Sequence, residues 1–302
     1  MGANDPGETA HARLICHPSH EEKPLHRKRL PRLEIVPLRN LILHEDVEHH
    51  RVDRIVERLR EDGHLKNPPI VGRNHTRRKL IVLDGASRVT AARHLGFPHL
   101  IVQVLDYPSP DIVLEPWHHL VVGMSFDNLV EQVAEIGGIS LERVTWAQAS
   151  TMLDHRKVIA CLRSPARQPI VIKLVDPTRT GLRPVRELTR IYATDPGLHR
   201  VREDQVVFPS EWLGEERVFV LFPKFRQEDI VEFALRHQDR LPMGITRHAV
   251  PNRALRVFYP IRQLRSTRPL AEKREHLRRF LETKWEEGSI RHYPETTTLY
   301  DE

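Results

Sequence analysis

The sequence predicts an α/β (α+β) protein: a small β-α-β-β-α-β unit at about 31–110, followed by a second mixed unit. Two helix-period stretches carry the first part of this reading. From His49 to Asp62 the apolar positions are Val52, Ile55, Val56 and Leu59, the i, i+3, i+4, i+7 spacing of one helix face, and Gly63 stops the run. A second stretch, with Val89, Ala91, Ala92 and Leu95, ends at Gly96. Around them lie short apolar runs bounded by turn residues, which read as buried strands.

In chain order, residues 1–30 carry Gly, Pro, His and charge without periodicity and are expected to be a mobile tail. Order begins with a strand at residues 33–37, closed by Pro37, and Leu41, Ile42 and Leu43 read as a loop entering the first helix. Residues 68–71 and 79–83 read as two strands around a basic turn, and residues 100–105 as another strand. Beyond, helices are expected near 127–136, 145–153, 182–193 and 226–237, with strands near 157–162, 169–175, 217–222 and 254–259. The first two of those strands form an expected hairpin. Residues 111–268 are thus read as a second α+β domain. Residues 269–302 are read as a helix at 270–286, charged on most faces and peripheral, with a tail. No internal repeat is visible, which argues against a solenoid.

Composition excludes several classes. With 47 Lys+Arg against 41 Asp+Glu, the net charge of +6 over 302 residues is thin for a dedicated nucleic-acid binder. The densest basic stretch, from Lys23 to Arg32, precedes the first strand. No run approaches the roughly 18 apolar residues of a membrane span, and residues 1–28 lack the apolar core of a signal peptide. Two cysteines, Cys16 and Cys161, supply neither a disulfide framework nor a Cys-rich zinc site. None of the 19 histidines falls in a metal-ligand spacing such as HExxH. The expected location is cytoplasmic, with no membrane partner.

The chemistry-bearing stretch is Val82-Leu83-Asp84-Gly85-Ala86-Ser87-Arg88, where a strand ends on a carboxylate, turns through glycine and starts a helix. Free N–H groups at such a helix start make an anion site. Arg88 offers a donor fork to phosphate, and Asp84 offers an oxygen ligand to Mg²⁺. The same residues also suit an ordinary Asp-Gly turn and cap. There are three further candidates. His44-Glu45-Asp46 opens the first helix and is either a general base or an acidic first turn. Trp117 suits a ligand wall or a core position. Gly244-Ile245-Thr246-Arg247-His248, bounded by Pro242 and Pro251, suits anion contact or a surface turn.

The order of these pieces resembles the ParB/sulfiredoxin-like superfamily, whose hallmark is an apolar strand, Asp-Gly-x-x-Arg and an Ala-rich helix ending in Leu-Gly. Val82 to Gly96 match that pattern. Within the superfamily the likeness is to free L-serine kinases, both archaeal enzymes and relatives from siderophore biosynthesis clusters. It rests on His44-Glu45, Leu65-Lys66-Asn67-Pro68-Pro69-Ile70-Val71, the Asp84-Gly85 turn, Trp117, and Gly244 to His248 with Arg253 to Arg256 behind.

The resemblance implies phosphoryl transfer from ADP or ATP, with Mg²⁺, to the hydroxyl of free L-serine or a similar small hydroxy amino acid, giving O-phospho-L-serine. It makes Glu45 the base and Asp84 the catalytic carboxylate that organises the metal. Gly85, Ala86, Ser87 and Arg88, with Thr246, Arg247 and His248, would bind nucleotide and phosphate, and Trp117 and His44 would contact the acceptor. Ala86 and Ser87 stand where such kinases commonly carry two histidines; the backbone donors survive that change. The competing reading is a ParB-like, nucleotide-responsive regulator with DNA as partner, although the region after residue 110 shows no helix-turn-helix spacing. A sulfiredoxin-type reductase is excluded because the signature holds no cysteine.

Overall fold

In a computed structural model, which describes residues 30–293 apart from 75–78, 166, 179–181, 194–196, 209–215 and 236–239, the chain forms two principal sheets. It begins with β1 (Leu33–Pro37), β2 (Leu41–Leu43), α1 (His49–Asp62), β3 (His64–Leu65), β4 (Ile70–Arg73), β5 (Leu80–Asp84), α2 (Ala86–His94) and β6 (His99–Asp106). It continues through β7 (Val113–Pro116), β8 (His118–Val122), α3 (Phe126–Ala134), β9 (Ile139–Arg143), α4 (Trp146–Asp154), β10 (Ala160–Arg163), β11 (Ile170–Leu174), α5 (Leu182–Tyr192) and β12 (Leu198–Val201). Last come β13 (Arg217–Leu221), α6 (Gln227–Leu235), β14 (Thr246–Ala249), β15 (Tyr259–Pro260), α7 (Ile261–Arg265) and α8 (Leu270–Glu286). The expected α/β class is the observed one.

The first sheet has strand order β1-β6-β4-β5-β2 and the second β12-β8-β13-β10-β11-β9, with β14-β7 and β15-β3 as two-stranded ribbons. Both principal sheets are covered on both faces. On β5, Leu80 and Val82 face one core while Ile81 and Leu83 face another. Likewise Ala160 and Leu162 of β10 face inward to the shared core, and Cys161 faces outward under α4. Strands buried on both faces read as unbroken apolar runs, which is why Leu80-Ile81-Val82-Leu83 is legible as a strand. The shared core holds α3, α5 and α6 between residues of the two sheets, while α1, α2, α7 and α8 cover the far face of the first.

Several expectations change. Leu41–Leu43 is not a loop but β2, pairing in parallel with β5. Residues 254–259 are not a strand up to Tyr259, and Arg256 and Phe258 take positive φ values of 54° and 52°. Thr246, Arg247 and His248 lie not in a loop but on β14, opposite Pro116, Glu115 and Leu114 of β7. Helix α8 is not peripheral: Leu277 and Lys273 are buried against the first sheet, with the Lys273 ammonium on the Leu264 carbonyl at 2.8 Å. The expected tail up to residue 29, with Cys16 and most of the Lys23–Arg32 run, and most of the basic turn after Arg73 lie outside the described residues. Cys161 is buried on β10. Among the described residues no helix is long and apolar enough to cross a membrane.

One close approach ties the first sheet to the chain leaving β6. Gly72 on β4 faces the Tyr107 side chain, and a Cβ there would lie 2.6 Å from the Tyr107 Cβ and 2.9 Å from its Cγ. Gly72→Ala is therefore expected to cost about 1–3 kcal/mol by overpacking, read as a lower urea midpoint at unchanged m-value. An unchanged midpoint would mean that the buried Tyr107 ring gives way freely.

Candidate active site

β5 delivers Asp84 to the floor of a cleft of about 420 Å³, and Gly85 turns the chain into α2. Only glycine suits that turn. Its φ is 91°, and a Cβ would lie 3.0 Å from Arg88 Nε and from Pro69 Cβ. Helix α2 begins without a side-chain cap, so the first-turn N–H groups of Ala86, Ser87 and Arg88 are left to whatever fills the cleft. Ala86 and Ser87 are themselves buried, and both line the cleft with Gly85 and Arg88.

Arg88 does not present a free fork. Its Nη1 donates to the Asn67 carbonyl at 2.6 Å and its Nη2 to Asp84 Oδ2 at 3.1 Å. Arg253 Nη1 donates to the same Oδ2 at 2.6 Å. Burial by itself would raise the Asp84 pKa, but the two guanidiniums overcome it and hold the carboxyl below its ordinary range. Asp84 is thus an ionised hub. Both guanidinium contacts fall on Oδ2.

Glu45 lies across the same cleft in the opposite electrostatic condition. The chain around it is fixed by a short parallel contact: Leu241 N–H donates to the His44 carbonyl at 2.9 Å, and Asp46 N–H to the Leu241 carbonyl at 2.8 Å. Burial pushes the Glu45 carboxyl up to about 8, reinforced by Asp84; the Gly244 N–H and the guanidiniums of Arg200 and Arg51 pull the other way without prevailing.

Behind this wall sits a buried polar cluster. His44 Nδ1 donates to the Val82 carbonyl at 2.8 Å, so its Nε2 accepts from the Thr246 hydroxyl at 3.2 Å. Burial lowers its pKa to about 4 and keeps it neutral. Both nitrogens are engaged inside the wall, and His44, expected at the acceptor, is not on the cleft lining. His248 Nε2 lies 3.0 Å from the Tyr107 hydroxyl. Its pKa is lowered to about 3, by burial first and by His44 second. Its Nδ1 has the Leu83 carbonyl nearby but no partner in hydrogen-bond geometry.

Trp117 lies between β7 and β8, with its backbone N–H on the Ile245 carbonyl at 3.1 Å. The Arg247 guanidinium lies over its ring at 5.6 Å and pairs with Glu115. Glu45, Asp84, Gly85, Ala86, Ser87, Arg88, Trp117, Thr246, Arg247 and His248 therefore share one cleft, and His44 stands behind it. Sequence reasoning missed Arg200, Arg51 and Met243 on the same lining. No local pattern marks them: Arg200 sits on β12, a strand the periodicity did not announce.

Among the described residues no group of three or more His, Cys, Asp or Glu could hold a metal by itself. A Mg²⁺ ion would find one carboxylate here, that of Asp84, and would need its remaining oxygen ligands from outside the protein.

Because the folded pKa of Glu45 exceeds its ordinary 4.5, folding favours its protonated form. That contribution is complete below pH 4.5 and lost as pH rises through about 8. Glu45→Gln removes the loss. It should match the parent in thermal stability at pH 5 and exceed it at pH 9 by roughly 1–3 kcal/mol, a Tm gain of several degrees. A pH-independent difference, measured by scanning fluorimetry, would show that the carboxyl titrates normally.

No family model matches the chain. Over 103 residues it is 26% identical to a protein named ATP-dependent L-serine kinase from Staphylothermus marinus, covering 34% of this chain and 40% of that one. Over 89 residues it is 33% identical to a ParB-like protein from Sulfolobus acidocaldarius, covering 30% of this chain and 42% of that one. The chain thus spans about two fifths of the length of these curated relatives. Among solved structures it resembles SbnI from Staphylococcus aureus, truncated at its C-terminus, with a TM-score of 0.70 at 17% identity over 84% of this chain and 97% of that one. It also resembles a free serine kinase in complex with AMP, with a TM-score of 0.65 at 17% identity over 80% of this chain and 97% of that one. The chain has the fold of these two proteins, and about a third of it resembles the ATP-dependent L-serine kinase and the ParB-like protein in sequence.

Proposed function

We propose that this cleft transfers a phosphoryl group from a nucleotide to the hydroxyl of free L-serine or a similar small hydroxy amino acid. One observation carries the reading: an uncapped helix start with an ionised Asp84 shares a single cleft with a Glu45 whose pKa is about 8. The relatives named ATP-dependent L-serine kinase support it, as do fold neighbours bound to AMP and ADP.

In the proposed step Glu45 takes the proton of the acceptor hydroxyl while that oxygen bonds to the terminal phosphorus. The bond from phosphorus to its bridging oxygen breaks, and the leaving nucleotide keeps the electron pair. ATP then leaves as ADP, or ADP as AMP. The N–H groups of Ala86, Ser87 and Arg88 hold phosphate oxygens, which replaces contacts that two histidines would make at positions 86 and 87. Asp84 would hold Mg²⁺, which when bound neutralises phosphate charge. Such transfer needs positioning and charge neutralisation more than covalent chemistry. Arg88 and Arg253 support it by fixing Asp84, and Trp117 walls the acceptor.

A base near the working pH is effective in its ionised form. The acceptor-dependent rate should therefore rise with pH through about 8 and fall on the acid side. Glu45→Ala should lower turnover by about 100- to 10,000-fold while retaining nucleotide binding. Asp84→Asn should weaken Mg²⁺–nucleotide binding. The check is phosphorus NMR with Mg²⁺ and L-serine, run separately with ATP and ADP, beside calorimetric nucleotide titrations. Silence with both donors from folded protein would move the assignment to a ParB-like regulator. That reading draws on the match to the ParB-like protein.

A further inference from the structure

An amino-acid acceptor brings a carboxylate into the cleft, and burying that charge without a cation is costly. Most guanidiniums on the lining already have partners. Arg88 is committed to the Asn67 carbonyl and Asp84, Arg253 to Asp84, and Arg247 to Glu115. Arg200 differs. Its Nη2 donates to Glu48 Oε1 at 2.7 Å, yet its Nε is buried with no partner. Among the described residues Arg186 and Arg240 carry the other buried Nε atoms without a hydrogen bond, that of Arg186 lying 3.4 Å from Asp46 Oδ2, and neither residue lines the cleft.

The surroundings of Arg200 are built to hold it there. On β12 it lies opposite His119 of β8. Gly244 is shaped around it: a Cβ would fall 2.0 Å from Arg200 Nε and 2.9 Å from Cζ, and the φ of +72° is one that L side chains rarely adopt. The Gly244 carbonyl is pinned from the other side by His119 Nε2 at 2.9 Å, and His119 Nδ1 in turn accepts from the Tyr192 hydroxyl at 3.0 Å. Glu48 fixes one edge of the guanidinium directly before α1, three residues from the base. The charge of Arg200 is felt at Glu45.

We infer that Arg200 is the specificity-determining residue for the acceptor: its guanidinium receives the α-carboxylate of the amino acid and so presents the neighbouring hydroxyl to Glu45. The inference rests on the phosphotransfer reading and adds the residue that holds the acceptor's carboxylate.

The test compares L-serine with ethanolamine, which keeps the hydroxyl and the amine but lacks the carboxylate. The parent protein should prefer L-serine. Arg200→Gln should lose about 10- to 100-fold more in kcat/KM toward L-serine than toward ethanolamine, so that the preference collapses. Equal losses toward both would make Arg200 structural, and a parent protein without preference would also overturn the assignment. Saturation-transfer NMR of L-serine on the same proteins separates this inference from the kinase reading. Arg200-dependent binding of L-serine without turnover keeps the anchor and removes the kinase. Binding unaffected in Arg200→Gln removes the anchor whatever the turnover. Should Arg200→Gln fail to fold, Arg200→Lys keeps the charge and loses the planar fork. It should then show an intermediate loss of preference, and an unchanged preference would overturn the assignment.

Discussion

The cleft depends on one crossing segment, residues 241–249. Leu241 clamps the backbone on both sides of Glu45, and Gly244 contacts both the Glu45 carboxyl and the Arg200 side chain. Ile245 holds Trp117 by its carbonyl, Thr246 caps His44, and His248 meets Tyr107. These contacts join the segment to residues 44–46, to β12, to Trp117 and to Tyr107, so its position constrains theirs. A site spread over both principal sheets is thereby held by a single stretch of chain. Rigid support of this kind keeps reacting groups in register.

The electrostatics divide along the same line. Two carboxyls share a cleft, and their surroundings push their pKa values apart: Asp84 is held ionised by two guanidiniums, whereas Glu45 is raised by burial and by Asp84 itself. Such divergence is how one site assigns acid–base roles. The buried histidines in and behind the wall do not titrate in the neutral range. His44, His119 and His248 all have lowered pKa values because burial disfavours the imidazolium. They act as fixed hydrogen-bonding struts, which is why a histidine-rich sequence yields a cleft lined by carboxylates and guanidiniums.

Much of this was legible in the sequence, for identifiable reasons. α1 announced itself through a 3.6-residue period and a glycine stop, and the Asp84-Gly85 turn through its chemistry. β2 was not legible because three residues carry no period, and its parallel partner lies far along the chain. β8 was hidden by His118 and His119, which look polar but are 2% exposed. Residues 254–259 form a mostly apolar run that reads as a strand, and the positive φ of Arg256 and Phe258 overrides that pattern. Arg200 carries no local signal at all. It is one of 47 basic residues, and only the glycine opposite it and the orphaned Nε distinguish it.

The return of the chain to its first sheet has a consequence for synthesis. Tyr259, Ile261, Leu264 and Leu277 complete the core that Ile35, Val71 and Ile101 begin, and the whole second sheet is translated in between. At roughly 5–20 residues per second the ribosome leaves that core open for on the order of ten seconds. During that interval an apolar sheet face waits for the last helix to emerge. The first sheet, although made first, is finished last, and a chain interrupted before α8 would leave that face exposed to neighbouring nascent chains.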